Sequence, residues 1–171
     1  MTGDTRRNRI LSMLKEQDSP LSGTALANEF HVSRQVIVQD IALMRAENHD
    51  ILSTNRGYLY RRPEQQNAMP KRVFYVRHTD EQVLEEFMTV IELGGKILDV
   101  VVEHEIYGQI HVDLLIENAR DAREFHERMQ LSSDSPLMVL TGDCHYHTIA
   151  APSEKLLNLI AQELDHKGYL L

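Results

Sequence analysis

The segment at residues 61–71, RRPEQQNAMPK, does most to limit how this chain can fold. It holds two prolines and mostly polar residues, a composition typical of a boundary between domains. Residues 1–62 carry nine Lys and Arg against seven Asp and Glu, whereas the rest of the chain carries nine basic against 19 acidic residues. We therefore predict two domains with different tasks, residues 1–62 and 72–171, joined by a linker at residues 63–71.

Charge and composition exclude several classes of protein. The net charge of −8 argues against a general binder of nucleic acids, so DNA binding by the slightly basic first domain must use a few placed charges and two copies of the chain. A single cysteine excludes an intrachain disulfide and favours a reducing compartment. The sequence has no apolar run near the ~18 residues of a membrane span and no signal peptide, so we expect a cytoplasmic protein without a membrane partner.

The first domain has the pattern of three helices and a hairpin. Apolar residues recur at helical spacing in three segments: 5–16, 22–30 and 34–48. Ser33 is placed to cap the third helix, and residues 50–60 indicate two short strands around the turn Asn55-Arg56-Gly57. A short turn between the second and third helices, followed by a hairpin, predicts a winged helix-turn-helix domain.

The third helix is the predicted recognition helix, which contacts the bases of DNA. Ile37, Ile41 and Met44 recur at i, i+4 and i+7 and are expected to face the core. The expected DNA contacts are the outward residues near its start and one residue of the wing: Ser33, Arg34, Gln35, Val38, Gln39 and Arg56. Arginine can pair with guanine, glutamine with adenine, and a serine hydroxyl can hold a phosphate. The alternative is a three-helix module that binds another protein and keeps this polar face in solvent.

After the linker, strands alternate with helices in the order β-α-β-β-α-β-α. Two of the strand-like runs lie near the end of the chain, LMVL at residues 137–140 and CHYHTIAA at residues 144–151. The order predicts an α+β fold, in which the winged helix-turn-helix domain is followed by an α/β sandwich of sheet and helices.

The stretch GDCHYHT at residues 142–148 offers two histidines for a metal ion. Side chains alternate along a strand, so His145 and His147 lie on one face, with Cα atoms about 7 Å apart. Cys144 has the opposite parity and is expected to pack in the core, with a thiolate ligand as the alternative. His78, where a strand meets a capped helix, is the best further imidazole. The helix after it offers three carboxylates, among which spacing does not choose: Glu81, Glu85 and Glu86.

Three imidazoles and one carboxylate suit Zn²⁺, Ni²⁺, Mn²⁺ or Fe²⁺ and leave room for an exogenous ligand. The chemistry of the pattern therefore predicts a centre for a divalent transition metal in the second domain. The remaining histidines of this domain are weaker candidates for metal ligands, because they lie on polar faces or at the ends of helices and strands.

Three motifs occur in order along the second domain: Val76-Arg77-His78-Thr79 with Glu86, His104-x-Ile106-Tyr107-Gly108, and His145-x-His147-Thr148-Ile149. With the segment VSRQVIVQDIALMRAE of the first domain, they resemble the niacin-responsive transcriptional repressors, in which a three-histidine (3H) domain follows a winged helix-turn-helix. The resemblance, and not the spacing, selects Glu86 and implies one set of metal ligands: His78, Glu86, His145 and His147.

The same resemblance implies nicotinic acid as the effector. We expect a ligand pocket near the second motif, lined by His104, Tyr107 and Gly108, with a structural role at a strand end as the alternative for His104. The chain departs from the family at Glu105, where members often carry proline, and this adds an acidic side chain near the expected pocket.

The function that follows is a repressor that binds operator DNA as a homodimer and controls genes of NAD biosynthesis or niacin uptake. Two recognition helices about one turn of DNA apart require a two-fold axis. Two alternatives stay open: a repressor that responds to the metal itself and ignores nicotinate, and a metalloenzyme fused to a DNA-binding domain.

Overall fold

The structure is a computed structural model that describes residues 2–62 and 69–171. The chain divides into two compact units, Met1–Gln66 and Asn67–Leu171. Most of the predicted linker lies outside the described residues, and its last residue, Lys71, already begins a strand of the second unit. Within the described ranges, every helix is too short or too polar to cross a membrane.

Three capped helices and a hairpin form the first unit. The side-chain oxygens of Thr2, Ser22 and Ser33 each accept a hydrogen bond from the backbone N–H three residues later, which satisfies a donor that the first turn of a helix leaves free. The elements are α1 (Gly3–Glu16), α2 (Gly23–Phe30), α3 (Arg34–Ala46), β1 (Ile51–Thr54) and β2 (Gly57–Tyr60). This is the order predicted for a winged helix-turn-helix.

The three helices share an apolar core, and an ion pair with a buried carboxylate joins α1 to α3. The core includes the apolar residues that the periodicity selected, among them Ile10, Leu14, Leu26, Ile37, Ile41 and Met44. Asp40 of α3 is 2% exposed and contacts Arg6 Nε at 2.6 Å and Arg7 Nη1 at 3.4 Å. Because two guanidinium groups of α1 compensate this buried carboxylate, the ion pair fixes α1 against the predicted recognition helix.

The wing is tied to the loop between α1 and α2. Thr54 pairs with Gly57, so the hairpin turns through two residues, and Leu21 exchanges two backbone hydrogen bonds of 2.8 Å with Tyr58. Gly57 has a φ of +137°, and a Cβ atom there would lie 2.2 Å from the carbonyl oxygen of Leu21. The close approach of these two backbones therefore requires glycine at this position.

The second unit has the predicted order of strands and helices. Its elements are β3 (Lys71–Arg77), α4 (Val83–Glu92), β4 (Lys96–His104), β5 (Gly108–Ile116), α5 (Ala119–Leu131), β6 (Cys144–Ala150) and α6 (Glu154–His166). The expected strand at LMVL is wrong, since Leu137–Thr141 forms a short 3₁₀ helix. So short an apolar run fits either conformation, and here the Val139 N–H bonds to the Pro136 carbonyl within its own turn.

The four strands of this unit form an antiparallel sheet in the order β5-β4-β6-β3. The crossover from β3 through α4 to β4 therefore passes over β6, and the crossover through α5 passes over β4. The helices cover one face, where Phe87, Leu157 and Ile160 are buried with the inward side chains of the strands. On the opposite face Val73 is 60% exposed and Tyr75 is 38% exposed.

We expect the substitution Gly57→Ala to destabilise the first unit by about 2 kcal/mol or more. The added methyl group meets the Leu21 carbonyl, and the positive φ is itself unfavourable for alanine. Chemical denaturation followed by circular dichroism would measure the change. The control is Gly168→Ala, where φ is +76° but no atom lies within 4 Å of the new Cβ. Equal losses in both variants would show that backbone conformation, and not the close approach, sets the cost.

Candidate metal centre

Four buried side chains meet at one end of the sheet, on the face that the helices cover. They come from the end of β3, from α4 and from β6: His78, Glu86, His145 and His147. Each offers one ligand atom, and these atoms all lie within 4.8 Å of one another. The four residues are 4%, 0%, 2% and 2% exposed, so water does not compensate their charge or polarity.

The sheet register explains why the histidines converge. Val76 lies opposite His145 and Phe74 opposite His147, so both histidines share the buried face with these apolar residues. His78 follows β3 directly. The Thr79 capping box then turns the chain into a 3₁₀ turn and α4, so that the chain comes back over the sheet.

Helical spacing brings Glu86 to the same place. Val83 and Val90 lie three residues before and four residues after Glu86, and both are buried. Glu86 therefore lies on the face of α4 that packs on the sheet. Glu85 lies on the outer side, where its carboxylate accepts hydrogen bonds from Lys167 Nζ and Tyr169 Oη, both at 2.6 Å. Glu81 is exposed at the start of the helical segment, so only Glu86 of the three candidate carboxylates joins the histidines.

All three imidazole rings turn the same nitrogen inward. The Nδ1 atoms of His78, His145 and His147 lie 3.1, 3.2 and 2.6 Å from the backbone carbonyl oxygens of Thr79, Asp143 and Asp99. A carbonyl oxygen only accepts, so each Nδ1 carries the hydrogen of its bond. In a neutral ring the lone pair is then on Nε2, which is the usual arrangement of a metal-binding histidine.

Most of the inward atoms lack a hydrogen-bond partner among the residues that the structure describes. His145 Nε2 and His147 Nε2 are 3.1 Å apart, and two lone pairs at that distance repel unless a proton or a cation lies between them. His78 Nε2 lies 2.9 Å from Glu86 Oε2 without the alignment of a hydrogen bond. Within the described part of the chain, His78 Nε2 and both Glu86 oxygens are buried without a hydrogen-bond partner. Such groups are costly unless an ion satisfies them, so the residues fit a divalent cation.

The electrostatics of the cluster lead to the same conclusion. Burial opposes the charge of Glu86, but the histidine charges at His147 and His78 outweigh it and hold the pKa of the carboxyl well below its usual range. Burial also opposes charge on His78 and His147, yet Glu86 raises the pKa of both rings. Burial, with the neighbouring His147, lowers the pKa of His145 to about 3. Protons and a metal ion would therefore compete for one fixed negative charge at Glu86.

The residues expected to form a ligand pocket lie outside this cluster. His104, Tyr107 and Gly108 lie at the turn between β4 and β5, where His104 Nδ1 accepts hydrogen bonds from the Ile106 and Tyr107 backbones at 3.2 and 3.4 Å. Tyr107 is 76% exposed. The structure does not bring these three residues to the metal ligands, and their part in ligand binding stays a prediction.

A cavity of about 450 Å³ lies beside this turn, on the other face of the sheet from the cluster. Its wall includes His104, Cys144 and the stacked rings of Tyr75 and Tyr146, whose centroids are 4.5 Å apart. The expectation that Cys144 packs in the core is therefore wrong, because the opposite parity on β6 directs it to the open face of the sheet and leaves it half-buried.

The residues expected to contact DNA remain on the outside of the first unit. Ser33 caps α3 by accepting a hydrogen bond from the Val36 N–H at 3.3 Å. Arg34, Gln35 and Gln39 are exposed. Val38 in α3 and Arg56 in the hairpin turn are half-buried. The start of α3 thus lies on the surface of the first unit, and its contact with DNA stays a prediction.

Comparison with known proteins gives two family matches and two full-length relatives. Residues 71–171 match the 3H domain, and residues 6–59 match an HTH domain. The chain is 38% identical over 166 residues to the probable transcription repressor NiaR of Thermotoga maritima, covering 97% of this chain and 93% of that protein. It is 34% identical over 172 residues to the transcription repressor NadR of Bacillus subtilis, covering 100% of this chain and 96% of that protein.

We expect Glu86→Gln to weaken the binding of Zn²⁺ or Ni²⁺ by about 100-fold or more, because the loss of an outer partner of a ligand alone costs roughly 10–100-fold. Competition against a chromophoric chelator would measure the affinity. Glu85→Gln is the matched control, since it changes the adjacent carboxylate, whose partners are Lys167 and Tyr169. Equal metal affinities of Glu86→Gln and the parent protein would show that Glu86 is not a metal ligand.

Proposed function

Because the chain belongs to the family of transcription repressors that join an HTH domain to a 3H domain, we propose that its operator binding is controlled by a bound metal ion and nicotinic acid. Its relatives are transcription repressors and not enzymes, so the metalloenzyme alternative is set aside. The regulated genes, on this proposal, serve NAD biosynthesis or niacin uptake, and the protein acts in the cytoplasm.

The convergence of three inward Nε2 atoms and one buried carboxylate carries the proposal. His78, Glu86, His145 and His147 would hold one divalent ion, and this set of nitrogen and oxygen donors suits zinc, nickel, manganese or iron. A bound ion of this kind supplies a Lewis-acidic centre that accepts a further nitrogen or oxygen donor.

Nicotinic acid has the chemistry that such a centre recognises. Its pyridine nitrogen and its carboxylate are both donors to a transition metal, and the niacin-responsive family that the motifs resemble points to this acid. The wall of the cavity near His104 carries Glu103 and Glu105, which would repel a carboxylate. We therefore assign the carboxylate of the effector to the metal side of the sheet and not to that cavity.

DNA binding requires two copies of the chain. Arg34, Gln35 and Gln39 at the start of α3 would read base edges, with Ser33 on a phosphate, Val38 against a base methyl group and Arg56 on the backbone beside the wing. The small positive charge of the first unit makes one copy a weak binder, whereas a homodimer places two such helices on a symmetric operator. Coupling of about 1–3 kcal/mol between effector and operator would change operator affinity roughly 5–150-fold.

One observation favours a second candidate function, in which the metal itself is the signal. All four proposed ligands are at most 4% exposed and together can complete a tetrahedral site. An ion enclosed in this way would need no organic effector. The two functions differ in whether operator binding follows nicotinate or follows the metal alone.

We expect calorimetric titration to detect nicotinic acid binding to the metal-loaded protein and no binding to the metal-stripped protein, because the ion supplies the acceptor for the acid. Benzoic acid is the matched control ligand, since it has the carboxylate and lacks the ring nitrogen. Equal binding of nicotinate with and without metal would contradict a metal-borne effector site. Operator affinity that follows the metal and ignores saturating nicotinate would support the second function instead.

We expect Arg34→Ala and Gln35→Ala each to weaken specific operator binding by about 1–3 kcal/mol, or roughly 5–150-fold, because each removes one base contact. Gel-shift titrations at fixed salt would measure the loss against operator and against unrelated DNA. The control Lys155→Ala removes one positive charge from an exposed position of α6 in the other unit and should leave binding unchanged. Parent-like footprints of both α3 variants would show that another surface reads the operator.

A further inference from the structure

Asp99 is an acidic residue in the middle of β4, a strand that is otherwise mostly apolar around it. It lies where the ladder of the sheet is irregular. The pairing of β4 with β5 shifts register between Ile97 and Asp99, and the pairing of β4 with β6 shifts between Ile97 and Val101. The Asp99 side chain is 13% exposed, so a bulge in the strand has placed a carboxylate in a mostly enclosed position.

Both the main chain and the side chain of Asp99 bind β6. Its carbonyl oxygen accepts a hydrogen bond of 2.6 Å from His147 Nδ1, and its Oδ1 accepts a hydrogen bond of 2.8 Å from the Thr148 N–H. The irregular ladder lets the carbonyl meet a side chain in place of a backbone N–H. The Asp99 carboxylate then accepts the hydrogen bond of the Thr148 N–H. Both donors, His147 Nδ1–H and Thr148 N–H, therefore have an acceptor.

His147 differs in this respect from the other two histidines of the cluster. His78 and His145 bond to carbonyls one and two residues away, at Thr79 and Asp143, so their ring orientation is a local property of their own segments. His147 depends on a residue 48 positions away on a neighbouring strand. The direction of its Nε2 therefore depends on how β4 and β6 are held together at this point.

We propose that Asp99 is a positioning residue of the metal centre. The Asp99 carboxylate holds the Thr148 N–H, and the Asp99 carbonyl thereby fixes the tautomer and direction of the His147 ring. This inference rests on the proposed metal centre. The carboxylate also extends towards the open face of the sheet, because Asp99 Oδ2 lies 3.1 Å from His111 Nε2 of β5. His111 on the open face is thus connected to the buried ligand His147 through Asp99 alone.

The test compares two substitutions of Asp99 with one control. Asp99→Ala removes the acceptor of the Thr148 N–H, whereas Asp99→Asn keeps an oxygen acceptor and removes the charge. Asp113→Ala removes a carboxylate from the neighbouring strand β5, where Asp113 Oδ1 lies 3.9 Å from His111 Nε2. We expect Asp99→Ala to weaken Zn²⁺ binding roughly 10–100-fold, and Asp99→Asn and Asp113→Ala to bind as the parent does.

Two spectroscopic readouts separate positioning from a loss of stability. In the Co²⁺-loaded protein, Asp99→Ala should change the visible absorption bands, which report the ligand field, and the other two variants should not. In the metal-free protein, the His147 Nδ1–H signal in nuclear magnetic resonance should be protected from exchange in the parent and in Asp99→Asn, and lost in Asp99→Ala.

The outcomes distinguish this inference from the proposed function. Parent-like affinity, absorption and Nδ1–H protection in Asp99→Ala would overturn the positioning role. Equal losses in Asp99→Asn and Asp99→Ala would also overturn it, because charge and not the hydrogen bond would then be the cause. A parent protein that binds no metal would overturn the proposed function, and the Nδ1–H measurement would still decide whether Asp99 orients His147.

Discussion

The buried carboxylate of Glu86 is the constraint on which the second unit depends. A charge with no exposed surface persists in a protein only where other groups compensate it, and here those groups are imidazoles from the end of β3 and from β6. An ion bound among them would join three elements that are distant in sequence. The proposed response to metal and effector follows from this junction, because any change in the ligands acts on β3, α4 and β6 together.

The two units treat a buried carboxylate in opposite ways. In the first unit Asp40 is matched within the chain, since Arg6 and Arg7 bind both of its oxygens. That ion pair is complete and has a structural explanation in the docking of α1 on α3. In the second unit His78 Nε2 and both Glu86 oxygens lack a hydrogen-bond partner among the described residues, although His78 Nε2 lies 2.9 Å from Glu86 Oε2. A complete pair stabilises a fold, whereas an incomplete cluster indicates a site that binds something further.

The sequence predicted those features that depend on periodicity. The parity of His145 and His147, the inward face of α3 and the order of elements all follow from repeats of 2 and 3.6 residues. Spacing alone left Glu81, Glu85 and Glu86 equivalent; family resemblance selected Glu86, and burial in the structure agrees. Asp99 was missed because a register shift between strands leaves no mark in periodicity, and its one signal was an acidic residue inside an apolar strand. The 3₁₀ helix at Leu137–Thr141 was missed because four apolar residues are too few to define a period.

We propose that one ion is held by three imidazoles and one carboxylate of a single chain. X-ray absorption spectroscopy of the zinc-loaded protein tests it most directly, because the scattering of imidazole rings is distinct from that of carboxylates and thiolates. We expect one ion per chain, with three imidazole nitrogens and at least one oxygen at about 2.0–2.2 Å. A sulfur neighbour at about 2.3 Å, which would place Cys144 in the centre, would contradict the account, as would a protein that retains no ion.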